Sequence, residues 1–126
     1  MSEIIRPATA FALDAGGKRK RPRERQEGHL AFVRSLPCLI CGGASEAAHV
    51  RYGDLRYGKR GTGKGEKPSD MYTVPLCRAD HLEQHGSYED IWWQMREIDP
   101  IRVALSLWSI SGDEEAALEI IRRART

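Results

Sequence analysis

The residues able to do chemistry in this chain are three cysteines and a run of three histidines, His49, His81 and His85, within 37 positions. Cys38-Leu39-Ile40-Cys41-Gly42-Gly43 places two thiols on a glycine-rich turn, and Cys77 follows 36 positions after Cys41. Asp80 and His81 come within the next turn of chain. Zinc takes four donors in a tetrahedron, commonly two from a knuckle and two from the first turn of a helix. The spacing therefore predicts a structural zinc held by Cys38, Cys41, Cys77 and either Asp80 or His81. An odd cysteine count with one close pair fits a metal site better than disulfides in a reducing compartment.

The histidines suggest a second site. His81 and His85 are four apart, so a helix sets both imidazoles on one face, suited to joint ligation of an ion. His49 closes a short apolar segment and is expected to face that pair. One unligated imidazole opposite a bound divalent ion is the equipment for phosphodiester hydrolysis: the ion stabilises charge on phosphate and leaving oxygen, and the imidazole removes a proton from water. Histidine suits the base role because it titrates near neutrality.

Several elements must position these groups. Ala47-Ala48-His49-Val50 reads as one strand and Met71 to Leu76 as a returning strand rich in β-branched residues. Cys77 is expected to open a helix running to about Gln84 and stopped by Gly86. Further helices are expected over 22–35, with Leu30, Ala31 and Val33 as its apolar face, and over 88–99 with Ser87 as N-cap. The last two are a helix opened by Pro100 and one from Asp113 to Ala124 capped by Ser111. Trp92, Trp93 and Trp108 are expected in the core, and His29 is expected to pack.

The 126 residues suit a single domain. Met1 to Thr9 carry an early acid and a proline with no apolar run, so no secretory leader is expected, and no segment is long enough to span a bilayer. A protein of the cell interior, with no membrane partner, is the expectation. The formal charge of +2 is unevenly spread: eight Lys/Arg face four acids in residues 1–37, six face two in 51–67, and six face eleven in 68–126. Residues 1–28 read as a basic, mobile arm and 29–126 as the working domain. The loop 51–70 places Arg51, Arg56, Lys59, Arg60, Lys64 and Lys67 between the strand histidine and the helix histidines. Cations there would hold a phosphate backbone without reading sequence, making DNA the expected partner.

Taken in order, Pro37-Cys38-Leu39-Ile40-Cys41-Gly42, Ala48-His49-Val50 and Val74-Pro75-Leu76-Cys77-Arg78-Ala79-Asp80-His81-Leu82-Glu83-Gln84-His85 resemble the HNH endonucleases. They are most similar to phage and prophage types related to the recombination-enhancing nucleases called Ref. The resemblance covers about residues 29–108. It implies an α+β fold with a small ββα-metal (treble-clef-like), zinc-stapled core surrounded by helices, and cleavage of DNA with a divalent ion (Mg²⁺, Mn²⁺, Ni²⁺ or Zn²⁺). It also implies that His49 is the general base, that His81 and His85 hold the catalytic ion, and that Cys38, Cys41 and Cys77 hold zinc. Position 80, where relatives keep Cys or His, is Asp80 here. Ala48 stands where many relatives carry a metal ligand, and Tyr72 stands where the family's asparagine is expected, this chain having no asparagine. Asp70 or a backbone carbonyl is expected to orient His49 instead. The rival expectation is a zinc-stabilised nucleic-acid-binding or adaptor module without cleavage.

Overall fold

In the computed structural model, residues 26–62 and 68–125 are described. The expected basic arm up to Arg25, together with Lys64 and Lys67, lies outside the described residues. The order of elements is α1 (Glu27–Arg34), β1 (Glu46–His49), β2 (Thr73–Leu76), α2 (Arg78–His85), α3 (Glu89–Met95), α4 (Pro100–Ser109) and α5 (Glu114–Arg125), with a short 3-10 turn at Leu55–Tyr57. The fold is α+β: five α-helices around one two-stranded antiparallel sheet, counted among the described residues. None of these helices is long and apolar enough to cross a membrane.

The strands pair Glu46 with Leu76, Ala47 with Pro75, Ala48 with Val74 and His49 with Thr73. Every residue of β2 is buried, because α1 and α4 pack against it while α2 lies against both strands. Pro75 is tolerated in this buried strand because its carbonyl, rather than the N–H it lacks, is used: it accepts from Leu39 N at 2.8 Å. That bond draws the cysteine knuckle onto β2, two residues short of Cys77.

The core joins Leu36, Leu39, Val50, Val74 and Leu76 to Trp93, Ile101, Ala104, Leu107, Ala117 and Ile121. Trp92 and Trp93 are buried as expected and meet edge to face at 4.9 Å. Trp108 is half-buried, its ring edge-on to His29 at 4.9 Å. His29 is itself buried and serves packing, and burial lowers its pKa.

Three helix starts differ from the sequence expectation. The first helix begins at Glu27, with Gln26 as its N-cap, rather than near residue 22, so Glu27 and Gly28 of the expected mobile arm are helical. Tyr88, not Ser87, is the N-cap of α3 and gives no side-chain cap, while the Ser87 hydroxyl donates to Glu83 O at 3.0 Å. The helix stops at Met95 because Glu97 takes a left-handed φ of 57° and Asp99 caps α4. Asp113 rather than Ser111 caps α5, its Oδ1 accepting from Ala116 N at 3.1 Å. Ser111 is engaged elsewhere, 2.7 Å from His29 Nδ1.

The loop 51–62 folds back on itself. Asp54 bridges Lys59 and caps the 3-10 turn, and Gly53 lies so close to the returning chain that an added Cβ would sit 2.6 Å from Gly61 N. Lys59 is only 4% exposed. Its ammonium donates to Tyr52 O at 2.8 Å and lies 4.9 Å from the Tyr72 ring centroid. Lys59 is thus a strut of the loop, correcting its assignment as a phosphate contact. Lys59→Met should leave the Tyr52 carbonyl without a donor and cost about 1–3 kcal/mol. Arg60→Met, at an exposed neighbour, should change stability by no more than about 0.5 kcal/mol. Urea unfolding of the two variants compares them directly, and equal midpoints would contradict the inward placement of Lys59.

Candidate metal centre and histidine site

The knuckle is built by backbone geometry. Cys38 N donates to Gly43 O at 2.8 Å and Gly42 N to Cys38 O at 2.9 Å, closing the turn. Gly42 has φ 82°, a conformation that strains any residue with a Cβ. Backbone N–H groups of Ile40 and Cys41 approach Cys38 Sγ at 3.4 and 3.5 Å, and that of Gly43 approaches Cys41 Sγ at 3.4 Å. Such donors favour thiolates. The Gly43 N–H, helped by the Cys38 and Cys77 thiols, lowers the Cys41 pKa.

Cys77 is the N-cap of α2, and its sulfur accepts from Asp80 N at 3.4 Å. The capping geometry turns the Asp80 carboxylate back over the knuckle, with Oδ2 3.1 Å from Cys77 Sγ and 3.5 Å from Cys38 Sγ. The donor atoms of Cys38, Cys41, Cys77 and Asp80 all lie within 4.8 Å of one another. A tetrahedral zinc with bonds of about 2.3 Å to sulfur and about 2.0 Å to oxygen sets sulfur–oxygen edges near ~3.5 Å and sulfur–sulfur edges near ~3.8 Å. The four residues fit such an ion with small inward movements. The Asp80 N–H favours the Cys77 thiolate. The Asp80 carboxylate, partial burial and the Cys41 and Cys38 sulfurs outweigh it and push the thiol up to about 12. Donors crowded in this way repel one another as anions until a cation lies between them.

Of the two candidates the sequence left open, Asp80 is the one that clusters with the three sulfurs. His81 faces another way, its Nδ1 2.9 Å from Glu46 Oε1. The His81 and His85 rings lie side by side, centroids 4.8 Å apart and tilted by 32°. His85 has a lowered pKa, first from burial and then from the neighbouring His81 and Arg51. Beside it opens a cleft of about 300 Å³ lined by Arg51, Tyr52, Gln84, Ser87 and Glu89. Glu89 is held there by Arg51 N, 3.1 Å from each carboxylate oxygen, and burial raises its pKa.

His49 ends β1 with its Nε2 2.8 Å from Asp70 Oδ1, the imidazole a quarter exposed and Asp70 buried. Asp70 Oδ2 accepts from Gln26 N at 2.8 Å, so the carboxylate is gripped from both sides. Among the described residues, Cys38, Cys41, Cys77 and Asp80 are the one set of three or more donors close enough to share an ion. Among the described residues, His81 and His85 belong to no such set. Ala48 is buried in the core and supplies no ligand.

Tyr72 is placed as scaffold: its carbonyl accepts from Val50 N at 2.8 Å and its ring seats the Lys59 ammonium. Arg56 is tied to Asp54 at 2.7 Å and lies 3.6 Å from Asp99. Arg60 is exposed and Arg51 half-buried. Glu46 is the residue the sequence reasoning passed over. Its signal was position, at the start of the strand whose end carries His49.

Fold and site together define a small α+β protein with a four-donor centre able to hold a metal ion. The chain belongs to the family described as "Protein of unknown function (DUF968)", whose model matches residues 15–95. It is 32% identical over 82 residues to "Uncharacterized protein YdfU" of Escherichia coli (strain K12), a stretch covering 63% of this chain. The same stretch is 22% of that relative, so the chain spans well under half of its length. No solved structure matches.

Proposed function

We propose that this chain is a metal-dependent endonuclease of the HNH kind that hydrolyses DNA phosphodiesters. In this reading β1, β2 and α2 form a ββα-metal unit, and a structural zinc on Cys38, Cys41, Cys77 and Asp80 staples it. The observation that carries the reading is the paired imidazoles of His81 and His85 on the helix that Cys77 caps. The strand beside it carries His49 backed by a buried carboxylate.

A divalent ion (Mg²⁺, Mn²⁺, Ni²⁺ or Zn²⁺) held by His81 and His85 would supply positive charge to the scissile phosphate and its leaving oxygen. His49 would give its Nε2–H to Asp70, which leaves the Nδ1 lone pair to take a proton from water. Asp70, fixed by Gln26 N, would hold the ring in that tautomer and offset the positive charge formed on it. Arg51 and Arg60 are the loop cations of this reading that would hold the DNA backbone, DNA being the proposed partner.

Supercoiled plasmid incubated with the full chain and each of the four ions tests the reading. Nicked or linear product is expected. Salt-dependent DNA binding with no product under any of them favours the non-cleaving zinc module, with which a buried Ala48 in place of a ligand is consistent.

A further inference from the structure

Among the carboxylates that touch the histidine site without belonging to it, Glu46 stands out. It opens β1 opposite Leu76, the residue before the capping Cys77, so its side chain reaches the first turn of α2. There Oε1 lies 2.9 Å from His81 Nδ1 and Oε2 lies 3.4 Å from Arg78 Nη1. The Arg78 side chain is 79% exposed, and a surface pair of that length holds little. His81 is only 21% exposed, so the imidazole contact is the one that fixes the carboxylate. The hydrogen bond to His81 also holds the Glu46 carboxyl below its ordinary range.

We propose that Glu46 is a positioning residue: by accepting the Nδ1–H of His81 it fixes the neutral imidazole in the tautomer whose Nε2 lone pair is free to ligate a divalent ion. As a statement about ion binding, this rests on the reading of His81 and His85 as the ligands of that ion. A metal binds only an imidazole nitrogen that carries no proton. Free neutral imidazole side chains favour the opposite tautomer, with the proton on Nε2, and an ion binding there must first displace it. A carboxylate behind the ring removes that step, orients the ring about its χ angles and makes the ligating nitrogen more basic. His85 shows no comparable carboxylate contact among the described residues, so its neighbour carries the orientation of the pair. A direct ligand role for Glu46 is the competing assignment, and its geometry disfavours it: Oε1 faces the ring nitrogen and Oε2 faces a cation.

Substitution separates the two roles. In Glu46→Gln the amide oxygen still accepts from Nδ1–H, whereas Glu46→Ala removes the acceptor. Long-range ¹H–¹⁵N spectra of the zinc-loaded full chain above pH 8, with His81 assigned by substitution, should show the Nδ1–H tautomer in the parent and in Glu46→Gln. The Nε2–H tautomer should dominate in Glu46→Ala. Calorimetric titration with Mn²⁺ should show roughly 10- to 100-fold weaker binding in Glu46→Ala and a change of only a few-fold in Glu46→Gln, with the zinc content unaltered in both. An Nε2–H tautomer in the parent overturns the proposal, as does Mn²⁺ affinity that is absent from the parent or equal in parent and Glu46→Ala. Equal losses in both variants would assign Glu46 as a ligand instead. The tautomer and Mn²⁺ readouts need no DNA, so they can succeed while plasmid cleavage fails, and the reverse.

Discussion

Cys38→Ser will have no cooperative thermal transition in a circular dichroism melt, and the parent will lose its transition when stripped by a strong chelator. The reasoning is one of magnitude. A structural zinc in a zinc-finger peptide is worth about 10–16 kcal/mol of apparent binding free energy near neutral pH, and a domain of this size is stable by about 5–15 kcal/mol in all. Removing the ion therefore takes away a term as large as the whole margin. Cys38 is the most sensitive place to do it. It is fully buried within the core, accepts two backbone N–H contacts and faces Asp80 Oδ2. Serine there gives a poorer ligand and leaves a hydroxyl among apolar neighbours. Asp80→Cys provides the opposite arm, since a thiolate suits zinc better than a carboxylate oxygen, and it should survive chelator at concentrations that unfold the parent. A metal-free parent that melts at an unchanged temperature would remove the zinc staple.

How much of this was legible in the sequence depends on whether the deciding interaction was local. The knuckle could be read because the Cys-x-x-Cys spacing and the two glycines act within six residues. That Cys77 joins the two knuckle cysteines could be read because a cysteine before a polar helical turn has few other uses. The choice between Asp80 and His81 could not. Consecutive residues of a helix point about 100° apart, and which one faces the knuckle depends on the Leu39–Pro75 hydrogen bond that docks knuckle to strand. Lys59 misled for a related reason. A charge pattern shows that a loop is basic but says nothing of whether it folds back, and here the close approach of Gly53 to Gly61 turns the ammonium onto Tyr72. Ser111 and Asp113 are equally good caps in isolation, and only the distant His29 decides between them. Glu46 was harder to read, because its position at the strand start is a weak signal and its partner lies 35 positions away.

His49→Ala will lower the plasmid-nicking rate by about 10²- to 10⁴-fold, the usual contribution of a positioned general base, while leaving the melting transition almost unmoved. The ring is a quarter exposed and ends its strand, so little packing is lost. What would go, on the proposed reading, is the single nitrogen that takes the proton of the attacking water. The residual rate should then rise with pH, because hydroxide replaces the missing base. Asp70→Asn is the more informative partner. An amide can donate to Nε2, which forces the proton onto Nδ1 and removes the lone pair, so a loss of about 10²- to 10⁴-fold is expected with every atom of His49 still present. The amide would still offer an oxygen to Gln26 N, so stability should fall by only about 1–2 kcal/mol. If His49→Ala cuts as fast as the parent, the base lies elsewhere. If Asp70→Asn cuts normally while His49→Ala does not, the carboxylate serves α1 through Gln26 rather than the imidazole.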